Sequence, residues 1–137
     1  MAMTLTQFIK QNLGSKVDFD GNFGSQCVDL YRRYCADVLC VPQSPGVDGA
    51  KDIINNPGTL KVTRDSALAD YSRGDVLIWG ATSSNKYGHV AILVEIYNTK
   101  YFIVLEQDGF KQDGAKISFR SNSNLLGMLR FTGGRVC

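Results

Sequence analysis

Apolar residues along this chain follow two rhythms, and the change between them divides it. In the first part they recur at helical spacing. Leu5, Phe8, Ile9 and Leu13 come after a capping box, Thr4 with Gln7 three residues on, and Gly14 closes the run. From Gln26 onward, Cys27, Leu30, Tyr31, Tyr34, Cys35 and Val38 fall at i, i+3, i+4, i+7, i+8 and i+11, a stripe wide enough to bury against a sheet. That helix is expected to end near Leu39, before an irregular Pro- and Gly-rich segment at 41–47. A further short helix is expected around 49–55, stopped by Asn56-Pro57-Gly58.

Beyond Gly74 the runs are β-branched and aromatic. Residues 76–79, 89–96 and 101–108 read as strands joined by short connections, an antiparallel meander that weaker runs at 116–119 and 126–131 extend. Helices first and strands later predict an α+β domain, with N-terminal helices packed on an antiparallel β-sheet.

Composition narrows the class. A length of 137 residues with 44% hydrophobic content suits one domain, 1–137, with a core that needs no staples. A net charge of +2, spread along the chain, offers no basic stripe for nucleic acid. Four cysteines without a CxxC pair and one histidine argue against a zinc site. With no apolar N-terminal stretch and no long apolar run, the chain reads as lacking a signal peptide and a membrane span, and as made in a cytoplasm. Its thiols are then expected to be reduced, although the spacing also allows a Cys35–Cys40 or a Cys40–Cys137 bridge.

The chemistry concentrates where an acidic, Gly-punctuated loop runs into the second helix. Cys27 falls in the first turn, where unpartnered N–H groups and the helix dipole favour thiolate over thiol. If a two-residue turn sits at Asn98-Thr99, strand partners sum to 197. His89 then lies opposite Asp108, with Glu106 its diagonal neighbour on the same face. Only a slip by an odd number of residues separates those faces. Cys27, His89 and Glu106 thus form a nucleophile, base and orienter set. Read singly, a helical cysteine on an apolar stripe is a small buried hydrophobe, which is the reading given to Cys35. Gln26 is either an oxyanion donor beside the Cys27 N–H or a helix cap.

Four blocks carry a resemblance: Asp20-Gly-Asn-Phe-Gly-Ser-Gln-Cys-Val-Asp-Leu30, Gly74-Asp-Val-Leu-Ile-Trp-Gly80, Tyr87-Gly-His-Val-Ala-Ile92 and Leu105-Glu-Gln-Asp108. In this order they resemble the signature of CHAP domains, the cysteine, histidine-dependent amidohydrolase/peptidases, over nearly the whole chain. The resemblance implies a papain-like fold and a peptidoglycan substrate, cut at an amide bond by an endopeptidase or N-acetylmuramoyl-L-alanine amidase. The family's Cys, His and Glu carry over onto Cys27, His89 and Glu106. Many members have Asn where this chain has Asp108. The resemblance also implies a phage endolysin or a lytic part of a phage particle. Such a protein stays in the host cytoplasm until a holin-made lesion releases it, or travels in the virion, alone or with a wall-binding subunit. Two rival classes are an NlpC/P60-type peptidase, whose usual Asp-Cys-Ser-Gly surroundings are missing, and a non-catalytic calcium- or wall-binding module.

The acidic loop has its own reading. Asp18, Asp20, Asn22, Gly24 and Asp29 occupy positions 1, 3, 5, 7 and 12 of a twelve-residue loop of EF-hand rhythm, and oxygen ligands so spaced suit Ca²⁺. Some CHAP domains resemble this segment and bind calcium just before the nucleophile. Phe23 where such a loop wants Gly, and Asp29 where it wants Glu, depart from a true EF-hand. The other reading makes Asp18 and Asp20 turn residues, with Ser25 or Asp29 near the helix start for capping.

Overall fold

Two amphipathic helices carry their apolar stripes into the core, as their spacing predicts. The computed structural model describes residues 3–21, 24–64 and 68–133. Helix α1 is Leu5–Asn12, and its capping box forms in both directions: the Gln7 N–H donates to Thr4 Oγ1 at 3.1 Å and the Thr4 N–H to Gln7 Oε1 at 2.9 Å. Helix α2 is Cys27–Tyr34 and runs on as a π-helical turn, Cys35–Leu39, that a left-handed Cys40 ends at φ 56°. The wider turn was not read from sequence, yet the stripe survives it, with Leu30, Tyr31, Tyr34, Cys35 and Val38 all buried. Cys35 is a free thiol, so the Cys35–Cys40 bridge is not formed; Cys137 lies outside the described residues. The short helix of the middle segment is a 3₁₀ turn, Ala50–Asn55, and a second 3₁₀ turn is Leu68–Asp70.

Six strands make one antiparallel sheet: β1 Lys61–Thr63, β2 Val76–Trp79, β3 His89–Ile96, β4 Tyr101–Glu106, β5 Lys116–Ser121 and β6 Leu125–Arg130. The order is β1-β6-β2-β3-β4-β5. The meander expected from sequence therefore holds from β2 to β5 and then breaks, because β6 crosses back to pair with β2 and β1. Arg130 helps hold it there. Its guanidinium forks onto the buried carboxylate of Asp75, Nε to Oδ1 at 2.8 Å and Nη2 to Oδ2 at 2.7 Å. Strand β1 escaped the sequence reading because three residues carry too little periodicity to register.

Both faces of the central strands are covered, so they read as unbroken apolar runs. Val76, Ile78, Val90, Ile92, Leu105 and Leu129 face the helices. Leu77, Trp79, Ala91, Leu93, Phe102, Val104 and Met128 form a second cluster with Tyr71.

The β3–β4 register bears directly on the site. Near the turn Ile96 pairs with Phe102 and Glu95 with Ile103, so the two-residue turn at Asn98-Thr99 does not form and the register starts one residue away from expectation. Continued unchanged, it would put Glu106 and His89 on opposite faces. A β-bulge between Leu93 and Glu95 restores the expected pairing, Leu93 with Val104 and Ile92 with Leu105. One extra residue at Val94 thus brings the imidazole and the carboxylate to one face.

Candidate active site

Three elements meet at the site: the start of α2, the start of β3 and the end of β4. Cys27 is the first residue of α2, half-buried. His89 is the first residue of β3 and buried, paired across the sheet with Trp79, whose ring centre lies 5.8 Å from the imidazole. Gly88 before it adopts φ +74°, and a Cβ there would meet Lys51 Cβ at 2.7 Å as well as the Trp79 carbonyl oxygen. Only glycine lets the chain enter β3 so close to its neighbours.

The three side chains lie in a row. His89 Nε2 lies 3.0 Å from Glu106 Oε1, and the Cys27 thiol is close enough to the imidazole to raise its pKa. With Nε2 given to the carboxylate, Nδ1 is the nitrogen left for the thiol. Arg120 of β5 closes the far end, its Nε donating to Glu106 Oε1 and its Nη2 to Oε2 at 3.4 Å. Burial alone would raise the Glu106 pKa, but His89 and Arg120 outweigh it and hold the carboxyl down at about 2. For His89, burial opposes the charged ring and Arg120 adds to that. The bonds to Cys27 and Glu106, with the charge on sulfur, prevail and raise its pKa above the ordinary 6.5. Cys35 is the contrast: burial pushes its thiol up to about 11 despite the Tyr31 hydroxyl beside it.

The backbone leading into Cys27 is held by two glutamines that the sequence reading missed. Gln107, fully buried at the end of β4, accepts the Val17 N–H at 2.8 Å and donates to the carbonyls of Val17 at 2.7 Å and Gln26 at 2.8 Å. Gln112 accepts the Ser25 N–H at 2.8 Å and donates to the Ser25 carbonyl at 3.1 Å. The signal for Gln107 was its place inside the Leu105-Glu-Gln-Asp108 block. Gln112 and Arg120 had none, because only the fold brings them here.

Asp108 lies two residues past Glu106, where its Oδ1 accepts the Phe110 N–H at 2.8 Å and shapes a tight turn. It borders the cleft, while its carboxylate bonds serve the loop. Gln26 is the N-cap of α2, and its side chain packs against Gly109 of the same loop, where a Cβ would meet Gln26 Cγ at 3.3 Å. The reciprocal cap comes from Asp29, whose Oδ2 accepts the Gln26 N–H at 2.9 Å.

Two hollows open on His89. One, about 490 Å³, contains Cys27, Gln26 and Tyr87; the other, about 460 Å³, lies over Trp79 and Arg120. The two hollows adjoin at His89, Asp108 and Phe110, and the Cys27 thiol lines the first of them. A half-buried thiol, an imidazole and a buried carboxylate in such a cleft suit acyl transfer.

Asp18, Asp20 and Asp29 each offer a carboxylate oxygen within 4.8 Å of the others. Oxygens across a Ca²⁺ ion from one another stand about 4.6–5.2 Å apart, so the set fits a hard divalent cation. Asp29 is buried and shared, its Oδ1 accepting the Phe19 N–H at 3.2 Å. Burial, with the charges of Asp20 and Asp18, raises its pKa against the backbone bonds that lower it. Gly24 carries a left-handed φ of +73° on the same loop, and Asn22 lies outside the described residues.

The family model of the CHAP domain matches residues 16–108. Endolysin PlyTW of Staphylococcus phage Twort (strain DSM 17442 / HER 48) is 34% identical over 113 residues, covering 74% of this chain and 22% of that endolysin. Among solved structures, the wild type endolysin LysIME-EF1 is similar with TM-score 0.74 and 22% identity, covering 95% of this chain and 64% of that one. Ly7917, crystallised with the hydrolysing product of MDP, is similar with TM-score 0.69 and 19% identity, covering 92% of this chain and 60% of that one. This chain therefore spans less than two thirds of the length of each of these relatives.

Proposed function

Because this chain belongs to the CHAP domain family, we propose that it is a peptidoglycan hydrolase that cuts an amide bond of the wall peptide, with Cys27 as nucleophile. The observation that carries this reading is the Cys27 thiol beside the imidazole of His89 in one hollow, with His89 bonded in turn to the buried carboxylate of Glu106. His89 takes the thiol proton, and the sulfur attacks the amide carbonyl carbon. The imidazolium then gives that proton to the leaving amine as the C–N bond breaks, which leaves a thioester on Cys27. Water, deprotonated by His89, releases the acid, and the proton returns to sulfur. Glu106, anionic across the working pH range, holds the ring and stabilises its charged form. The Cys27 N–H in the first turn and the Gln26 side chain are the oxyanion donors we assign. Asp108 shapes the loop beside them.

The reaction is either an endopeptidase or an N-acetylmuramoyl-L-alanine amidase cut. Biologically, the reading is a phage lysin that acts on bacterial peptidoglycan after holin-dependent release from the host cytoplasm, or from the virion, with or without a wall-binding subunit. Among the described residues no helix is long and apolar enough to cross a membrane.

We assign Ca²⁺ to Asp18, Asp20 and Asp29, with Asn22 and the Gly24 carbonyl as further oxygens of the loop. When bound, the ion supplies charge compensation that fixes the lead-in to α2. The chemistry itself runs through Cys27 and His89. Clearing of a wall suspension with and without a thiol-blocking reagent tests the central reading. Loss of clearing on blocking supports it, and unaltered clearing overturns it.

A further inference from the structure

Phe110 is 68% exposed, although the loop that carries it is tightly held. Its N–H donates to Asp108 Oδ1 at 2.8 Å, and the Gln112 N–H donates to the Asp108 carbonyl at 3.0 Å. Gln112 Nε2 also donates to the Gly109 carbonyl at 2.6 Å, and the same side chain is fixed to Ser25. The ring is therefore presented from a braced turn, and packing does not account for its position. It borders both hollows of the cleft, which places it at their junction beside the catalytic pair. Across the Cys27 hollow stands Tyr87, 45% exposed, with its carbonyl tied to the Lys51 N–H at 2.9 Å.

We infer that Phe110 is a substrate-binding residue that packs on the peptide strand next to the scissile amide and seats its carbonyl over Cys27. This inference rests on the hydrolase reading above. Peptide planes and aliphatic side chains pack well on an aromatic face, and a ring carried on a braced turn costs little backbone freedom on binding. Because the ring sits where the two hollows meet, its contact is with the peptide flanking the cut bond and not with a distant glycan ring.

The test uses the full chain. Sedimentation with purified peptidoglycan compares Cys27→Ala with Cys27→Ala/Phe110→Ala. Steady-state kinetics on soluble cross-linked wall peptides compare the unsubstituted protein with Phe110→Ala, Phe110→Tyr and Phe119→Ala. Phe119 is the control, 61% exposed but bordering neither hollow. Phe110→Ala should weaken retention and raise KM about tenfold, the scale of partly burying a phenyl ring, with kcat within about twofold. Phe110→Tyr should restore both, and Phe119→Ala should leave both unchanged. Unaltered retention and KM, an equal loss in Phe119→Ala, or a lowered melting temperature in Phe110→Ala would each overturn the inference. Retention reads Phe110 without turnover. Weakened retention in a protein that never hydrolyses the polymer would overturn the hydrolase reading and with it the seating of a scissile carbonyl, whereas hydrolysis with unaltered retention and KM would overturn the inference alone.

Discussion

Replacing Glu106 with Gln keeps the shape of the side chain and removes the charge between His89 and Arg120. The carboxyl is buried and held at about 2 where 4.5 is ordinary, a difference worth on the order of 3 kcal/mol of stability at neutral pH. Because the folded-state pKa is depressed, that contribution is fully present above about 4.5 and is lost as pH falls toward about 2. Glu106→Gln should therefore lower the melting temperature by roughly 10 °C at pH 7. The gap to the unsubstituted protein should narrow steadily below pH 4.5. Activity should fall too, since an amide bonds to the ring without stabilising its charge. A charge-assisted hydrogen bond contributes about 1.5–3 kcal/mol, so kcat/KM should drop roughly 10- to 150-fold. Denaturation curves across pH, beside the kinetics, make the measurement. A melting gap as wide at pH 2.5 as at pH 7 would refute the electrostatic argument, and larger kinetic damage from Asp108→Asn would move the orienting role to Asp108.

Four further outcomes are expected. Cys27→Ala should abolish turnover with little change in melting temperature, whereas Cys35→Ala, which empties a buried position, should cost about 1–2 kcal/mol in denaturant titration and spare turnover. His89→Ala should be as inactive as Cys27→Ala in the same assay, because it removes the base assigned to take the thiol proton. Gln107→Ala should destabilise by roughly 3 kcal/mol in denaturant titration, since it strands the buried Val17 N–H and carbonyl and takes one of two bonds from the Gln26 carbonyl, and should slow turnover by loosening the chain before Cys27. A chelator should lower melting temperature and activity together, Ca²⁺ and not Mg²⁺ should restore them, and Asp20→Ala should remove the response; no heat of Ca²⁺ binding at millimolar concentrations would count against the assignment.

Much of the architecture was legible because each helix shows a full apolar stripe and each central strand an unbroken apolar run. The place of β6 was not, since its run resembles any other and the fork from Arg130 onto the buried Asp75 that marks it joins residues far apart in sequence. The Val94 bulge was equally hidden. The sequence reading reached the right pairing for Ile92 and Leu93 from a turn that does not form, and the bulge cancels the one-residue difference. Cys27, His89 and Glu106 stood out by residue type at element ends. Gln107, Gln112 and Arg120 did not, because their work is to hold backbone and carboxylate in place and only the folded chain brings their partners together.

The claim that Cys27 cuts the wall peptide is met most directly by digesting purified peptidoglycan and counting the new amine and carboxyl ends by mass spectrometry. The unsubstituted protein should release one defined pair of ends, and Cys27→Ala none. Ends released at an equal rate by Cys27→Ala, or new reducing sugars in place of amines, would contradict it.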